Sequence, residues 1–177
     1  MESKIKGYLG VEYTIEQLKQ LCPKCHTVKE IESNPVLKAE IEQKQNYYSA
    51  IYNSDVPVLN GEIWIDLPKW EKYSASSLGR IRWNKPDGSY EILKQYDEKG
   101  RYGYLKLEPE KKGITQSDYV YTMIAYAFLG KRINDGKQVH HIDNNGYNCR
   151  PDNLILVDCE QHSEIHGFNC CKRNPNL

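Results

Sequence analysis

Apolar residues recur at three- and four-residue spacings in two early stretches, YTIEQLKQL (13–21) and NPVLKAEIEQKQNYYSAIY (34–52), which predicts helix across residues 13–52. Pro35 suits a first helical position, with Ser33 or Asn34 as the cap. The polar, turn-forming run NSDVPVLNG then marks a boundary near residue 58. Beyond it the period shortens. GRIRW, YEILKQY and YGYLKLE are short β-prone runs separated by the turn signals NKPDG and DEKGR, so strands are expected between residues 62 and 108. YVYTMIAYAFLG (119–130) is apolar all round and reads as a buried helix ended by Gly130. The last pattern is strand (QVHHI), turn-rich loop (DNNGYNCRPDN), strand (LILVD) and helix. Asp158 suits the cap of that helix and Gln161 completes a capping box, which predicts helix from about Cys159 towards Phe168. The fold class is α+β. A helical region spans 1–58, a small antiparallel β region 59–116, and a leading helix with the strand–loop–strand–helix unit 117–177.

Composition changes this picture little. Apolar residues at 39% and charged residues at 27% describe an ordinary soluble chain. Lys plus Arg equals Asp plus Glu, 24 each, and that neutrality speaks mildly against a generic nucleic-acid binder. The balance is local, however: Arg80–Lys112 holds nine basic against six acidic residues. Fourteen Tyr against two Phe suits half-exposed binding surfaces. The start, MESKIKGYLGVEYT, has no long apolar run, so neither a leader nor a membrane span is expected. Six cysteines without a leader read as reduced thiols in a cytoplasm.

Histidine placement carries the chemistry. Four of the five histidines lie between Gln138 and His166. His162 and His166, one helical turn apart, project from one face and can close on a divalent metal. His140 and His141 alternate along their strand, so one can turn to the helix and complete the site. The other is then free for proton chemistry near neutral pH.

This segment resembles the HNH nuclease motif, the ββα-metal fold of phage homing endonucleases and colicin nuclease domains. The resemblance implies that His140, His162 and His166 are metal ligands and that His141 is the general base. It implies that Asn153 pins the loop and orients the base. Histidine at all ligand positions makes zinc or nickel candidates beside magnesium or manganese for the one divalent ion. Upstream, EIWIDLPKWEKYSASSLGRIRW, LKQ, GYLKL and YTMIAYAFLG resemble the modular DNA-binding motif that precedes HNH in phage homing endonucleases, except that Tyr121 stands where that family usually has His.

Double-stranded DNA is the partner so implied, with no membrane. Arg80, Arg82, Lys94, Arg101 and Lys106 are the candidates for holding its phosphates, and Arg150 in the active loop is another. The resemblance also implies a phage or mobile-element protein working in a bacterial cytoplasm. Its reaction is hydrolysis of a DNA phosphodiester, by nick or double-strand cut, to 5′-phosphate and 3′-hydroxyl ends. Two alternatives stay open: a non-cleaving DNA-binding module stapled by the metal, and an HNH nuclease of restriction or packaging type. CPKC at Cys22–Cys25 has zinc-knuckle spacing, yet no second CxxC exists, and the pair reads rather as small core residues than as a zinc site.

Overall fold

A computed structural model describes residues 4–97, 105–107, 119–132 and 135–167. A small hairpin comes first, β1 (Ile5–Lys6) pairing antiparallel with β2 (Glu12–Tyr13). The helical run expected over 13–52 is three helices, α1 (Ile15–Leu21), α2 (Val28–Ser33) and α3 (Pro35–Tyr52). Local chemistry makes the breaks. Thr14 and Thr27 each open a helix with a full capping box, using Gln17 and Glu30. Asn34, rather than Ser33, caps α3: its Oδ1 accepts from the amides of Val36 and Leu37, with Pro35 in the first turn.

The β region is a four-stranded antiparallel sheet in sequence order, β3 (Trp64–Asp66), β4 (Tyr73–Ser76), β5 (Ile81–Asn84) and β6 (Tyr90–Ile92). A separate pair joins β7 (Gln95–Asp97) to β8 (Leu105–Leu107). Residues 90–96, expected as one strand, therefore divide between two sheets. The Leu93 amide still donates to Ile81 O, but the Gln95 amide donates to Asn53 Oδ1 at the end of α3, which takes the backbone out of the first sheet. The remaining elements are α4 (Val120–Phe128), β9 (Gln138–His141), β10 (Leu154–Val157) and α5 (Cys159–His166). Asp158 and Gln161 form the expected capping box, and Gly167 ends α5 in the left-handed region at φ 67°.

Two cores flank the β9–β10 hairpin. On one side Tyr52, Leu67, Trp70, Tyr73 and Ile81 pack with Met123 and Ile124 of α4 and with Leu154. On the other, Ile5 and Leu18 of the N-terminal region pack with Ile142, Ile155, Val157 and Ile165. Residues from 1–58 thus contribute to both cores. α1 lies against α5, Lys19 bridges to Glu164 at 2.9 Å, and Gly7 bridges to Ile155 of β10. Tyr52 shows how close the packing is. Its ring sits where a Cβ on Gly79 would come within 2.8 Å, and Gly79 has φ +85°, so only glycine fits that turn without strain.

The loop 53–61, read as a boundary, is held by a buried cation. Arg80 is fully buried and donates to Glu62 through Nε (2.8 Å) and Nη2 (2.5 Å). Its remaining bonds go to the carbonyls of Ser54, Val56 and Pro57. A guanidinium needs just such a fork of acceptors when it leaves water. Among the described residues no helix is long and apolar enough to cross a membrane. Cys22, Cys25 and Cys149 are free thiols, whereas Cys159 is disulfide-bonded, which corrects the expectation of reduced cysteines at that position.

Candidate functional site

Strand register decides which histidine faces which core. In the antiparallel hairpin His140 stands opposite Ile155 and His141 opposite Leu154. Paired residues share a face, so His140 turns to the side of α5 and α1 while His141 turns to the side of α4. Three rings meet on the α5 side. Ring centroids are 5.3 Å apart for His140 and His162, 4.9 Å for His140 and His166, and 4.8 Å for His162 and His166. The Nε2 atoms of His162 and His166 face each other at 3.1 Å. His140 Nε2 is buried and has no hydrogen-bond partner among the described residues.

All three rings are held neutral. Burial, reinforced by the neighbouring imidazoles, pushes His140 down to about 3 and His162 to about 4, and burial lowers His166. Neutral rings keep the lone pairs that a metal needs, and an orphaned buried nitrogen is the mark of a missing partner. His140 and His166 each bring a nitrogen within reach of one divalent ion.

Two further features surround these rings. Gln138 Oε1 meets His162 Nδ1, which orients that ring from behind, and alternation along β9 could have revealed it because Gln138 and His140 share a strand face. The CPKC segment arrives from the end of α1. Cys25 Sγ lies 3.0 Å and Cys22 Sγ 3.8 Å from His166 Nδ1, on the side of the ring away from His162. The donor atoms of Cys22, His140 and His166 all lie within 4.8 Å of one another. Burial first, then the charges of Cys25 and Asp143, push the Cys22 thiol up to about 11.

His141 occupies the other face. It is 8% exposed and sits edge-on to Tyr121 of α4, with ring centroids 5.3 Å apart and planes at 76°. Burial is the main cause that lowers it, to about 4, with Asp143 opposing. Tyr121, standing where His was expected from the resemblance, thus serves as a wall for His141.

Asn153 organises the loop between the strands. Its Oδ1 accepts from the Asp143 amide (3.1 Å), and its Nδ2 donates to Asp143 Oδ1 (2.8 Å) and Asn148 O (2.9 Å). Asp143 in turn accepts from the Asn145 amide and from Asn148 Nδ2. Asn153 is therefore a positioning residue of the loop. Beside it Tyr47, Tyr48 and Ile51 of α3 face Asn148, Arg150 and Asp152 across an open concavity.

The candidate phosphate contacts divide sharply. Arg80 is corrected, because its guanidinium is saturated by Glu62 and loop carbonyls and offers nothing to a ligand. Lys106 is corrected likewise: it is buried, with Nζ 4.6 Å over the Tyr119 ring. Arg82 is half-buried between the faces of Trp64 (4.7 Å) and Tyr90 (5.0 Å), and Lys94 is exposed. Arg150 pairs with Asp152 at 3.1 Å and is partly exposed. Arg101 lies outside the described residues.

A family model described as HNH endonuclease matches residues 118–164. A solved structure described as DNA binding and cleavage by the HNH homing endonuclease I-HmuI is 24% identical, with a TM-score of 0.45, over 58% of this chain. The match spans 56% of that protein's own length. No curated protein matches.

Proposed function

We propose that this chain, whose residues 118–164 match a family model described as HNH endonuclease, hydrolyses phosphodiester bonds of double-stranded DNA. The observation that carries this reading is the division of labour across β9, with His140 turned to the imidazoles of α5 and His141 turned away from them. His140, His162 and His166 would hold one divalent cation, and Gln138 would fix the His162 ring. When bound, that ion supplies Lewis-acid stabilisation of charge on the phosphate. Neutral His141 accepts a proton from water as the water oxygen bonds to phosphorus. The bond from phosphorus to the 3′ oxygen breaks, that oxygen takes a proton from solvent, and the products are a 5′-phosphate and a 3′-hydroxyl. Asn153 keeps the loop in register, so that β9 presents its histidines beside those of α5. Arg82 and Lys94 on the sheet, with Arg150 at the concavity beside Asn153, would hold the DNA backbone.

One observation favours the alternative, a DNA-binding module in which the metal is a staple: His141 is nearly buried against Tyr121. Nicking of supercoiled plasmid with Mg²⁺, Mn²⁺, Zn²⁺ or Ni²⁺ separates the two. His141→Ala is expected to abolish nicking while metal stoichiometry stays unchanged. Nicking that survives in that variant overturns the base assignment, and a wild-type chain that binds DNA and metal but nicks with none of these ions supports the staple.

A further inference from the structure

Residues 22–25 are not needed to explain an HNH unit, yet they end against it. α1 is fixed on α5 by fully buried Leu18, which packs with Ile165, and by the Lys19–Glu164 bridge. The Cys22 amide closes α1 by donating to Leu18 O, and Pro23 O accepts from Asn144 Nδ2 (3.0 Å) of the site's own loop. This strapping delivers the Cys22 sulfur to His166. His140, 1% exposed with its Nε2 unpartnered among the described residues, supplies an independent sign that a ligand belongs there.

We infer that Cys22 is a ligand of the metal bound by His140 and His166, so that the centre is assembled from the N-terminal region as well as from the HNH unit. Three donor atoms, one from each residue, lie within 4.8 Å of one another, as a single cation requires. The inference rests on the reading of His140 and His166 as ligands. Binding replaces the Cys22 sulfur–hydrogen bond by a sulfur–metal bond, and the proton leaves to solvent. A thiolate beside imidazoles selects a zinc-like ion over magnesium, whose preference is for oxygen donors. Cys25, with Sγ 3.0 Å from His166 Nδ1 and 3.5 Å from Asn144 Oδ1, holds the ring and the loop in place.

Cobalt(II) titrated into the full, metal-free chain under reducing conditions tests this by absorption. A thiolate ligand gives a near-ultraviolet sulfur-to-cobalt charge-transfer band, and imidazoles alone do not. The wild type is expected to bind cobalt with that band. Cys22→Ser is expected to lose the band and still bind cobalt through its histidines. Cobalt bound to wild type without the band overturns the role of Cys22 and leaves the histidine site standing, as does a band that persists in folded Cys22→Ser. If the wild type binds no cobalt, both the inference and the histidine site fall.

Discussion

Two buried polar clusters of this molecule differ in one respect. Around Arg80 the guanidinium has found two carboxylate oxygens and three backbone carbonyls. Around His140 the rings of His140 and His166 and the Cys22 thiol bring donor atoms within 4.8 Å of one another, and His140 Nε2 finds no partner among the described residues. Both clusters are costly to bury. The first is complete as it stands and serves to fold the 53–61 loop onto the sheet. The second becomes complete only with something added. Arg80 lies among the basic residues of the β region expected to contact DNA, but a saturated guanidinium is architecture. Incomplete satisfaction, rather than burial or charge, separates a site from a clamp.

The comparison breaks most visibly at the clamp. Removing the cation in Arg80→Ala leaves Glu62 buried and three carbonyls unmet, and breaking such a pair costs about 3–5 kcal/mol. Denaturant unfolding measures it. A loss within a few tenths of a kcal/mol would mean that Arg80 is a solvated surface residue, and the expectation of phosphate contact would return. The same pair predicts a pH dependence. Burial alone pushes the Glu62 carboxyl up, but hydrogen bonds from Arg80, Ser76 and the Leu59 amide outweigh it and hold the group below the usual carboxylate range. A depressed folded value contributes stability that is full above the ordinary value of 4.5 and is lost as pH falls through the lower folded one. Glu62→Gln is expected to remove that part of the acid slope.

How much of this could be read in advance follows the range of each interaction. Asp158 with Gln161, the His162–His166 pair and the alternation of His140 and His141 are all local, and the structure repeats them. Asn34 over Ser33 as the cap of α3 is decided within three residues. The long-range meetings leave no periodic trace. Arg80 reaches Glu62 across 18 residues, and Cys25 meets His166 across 141. No hydrophobic pattern states that CPKC, which lacked a second pair of cysteines, would be brought to a histidine of the last helix. The strand expected over 90–96 failed for the same reason, because Asn53 diverts Gln95 from 42 residues away.

The second cluster should respond with the opposite sign to the first. In the metal-free chain His140→Leu replaces an unpartnered buried nitrogen by carbon of similar volume, and leaving such a group unmet costs about 1–3 kcal/mol. Unfolding in the presence of a chelator is therefore expected to show His140→Leu as stable as the wild type, or more stable by up to about 2 kcal/mol. Metal binding should be lost in the same protein. Destabilisation as deep as that of Arg80→Ala would make His140 a structural residue and erase the contrast between the two clusters.

The smallest effect sharpens the link between fold and site. Asp158 caps α5 by accepting from the Gln161 amide at 2.8 Å, and Gln161 Oε1 accepts from the Asp158 amide in return. Asp158→Ala removes one side of this box and is expected to cost about 1 kcal/mol. Helix α5 is only Cys159–His166, so its first turn and its two histidines belong to one short unit. Fraying that begins at the cap reaches His162 at once, whereas His166 is held from outside the helix by Cys25 and by the α1 contact. Cobalt affinity in Asp158→Ala should accordingly fall while any sulfur-to-cobalt band keeps its shape. A band altered as much as the affinity would show that the cap, rather than the N-terminal strap, sets the position of His166.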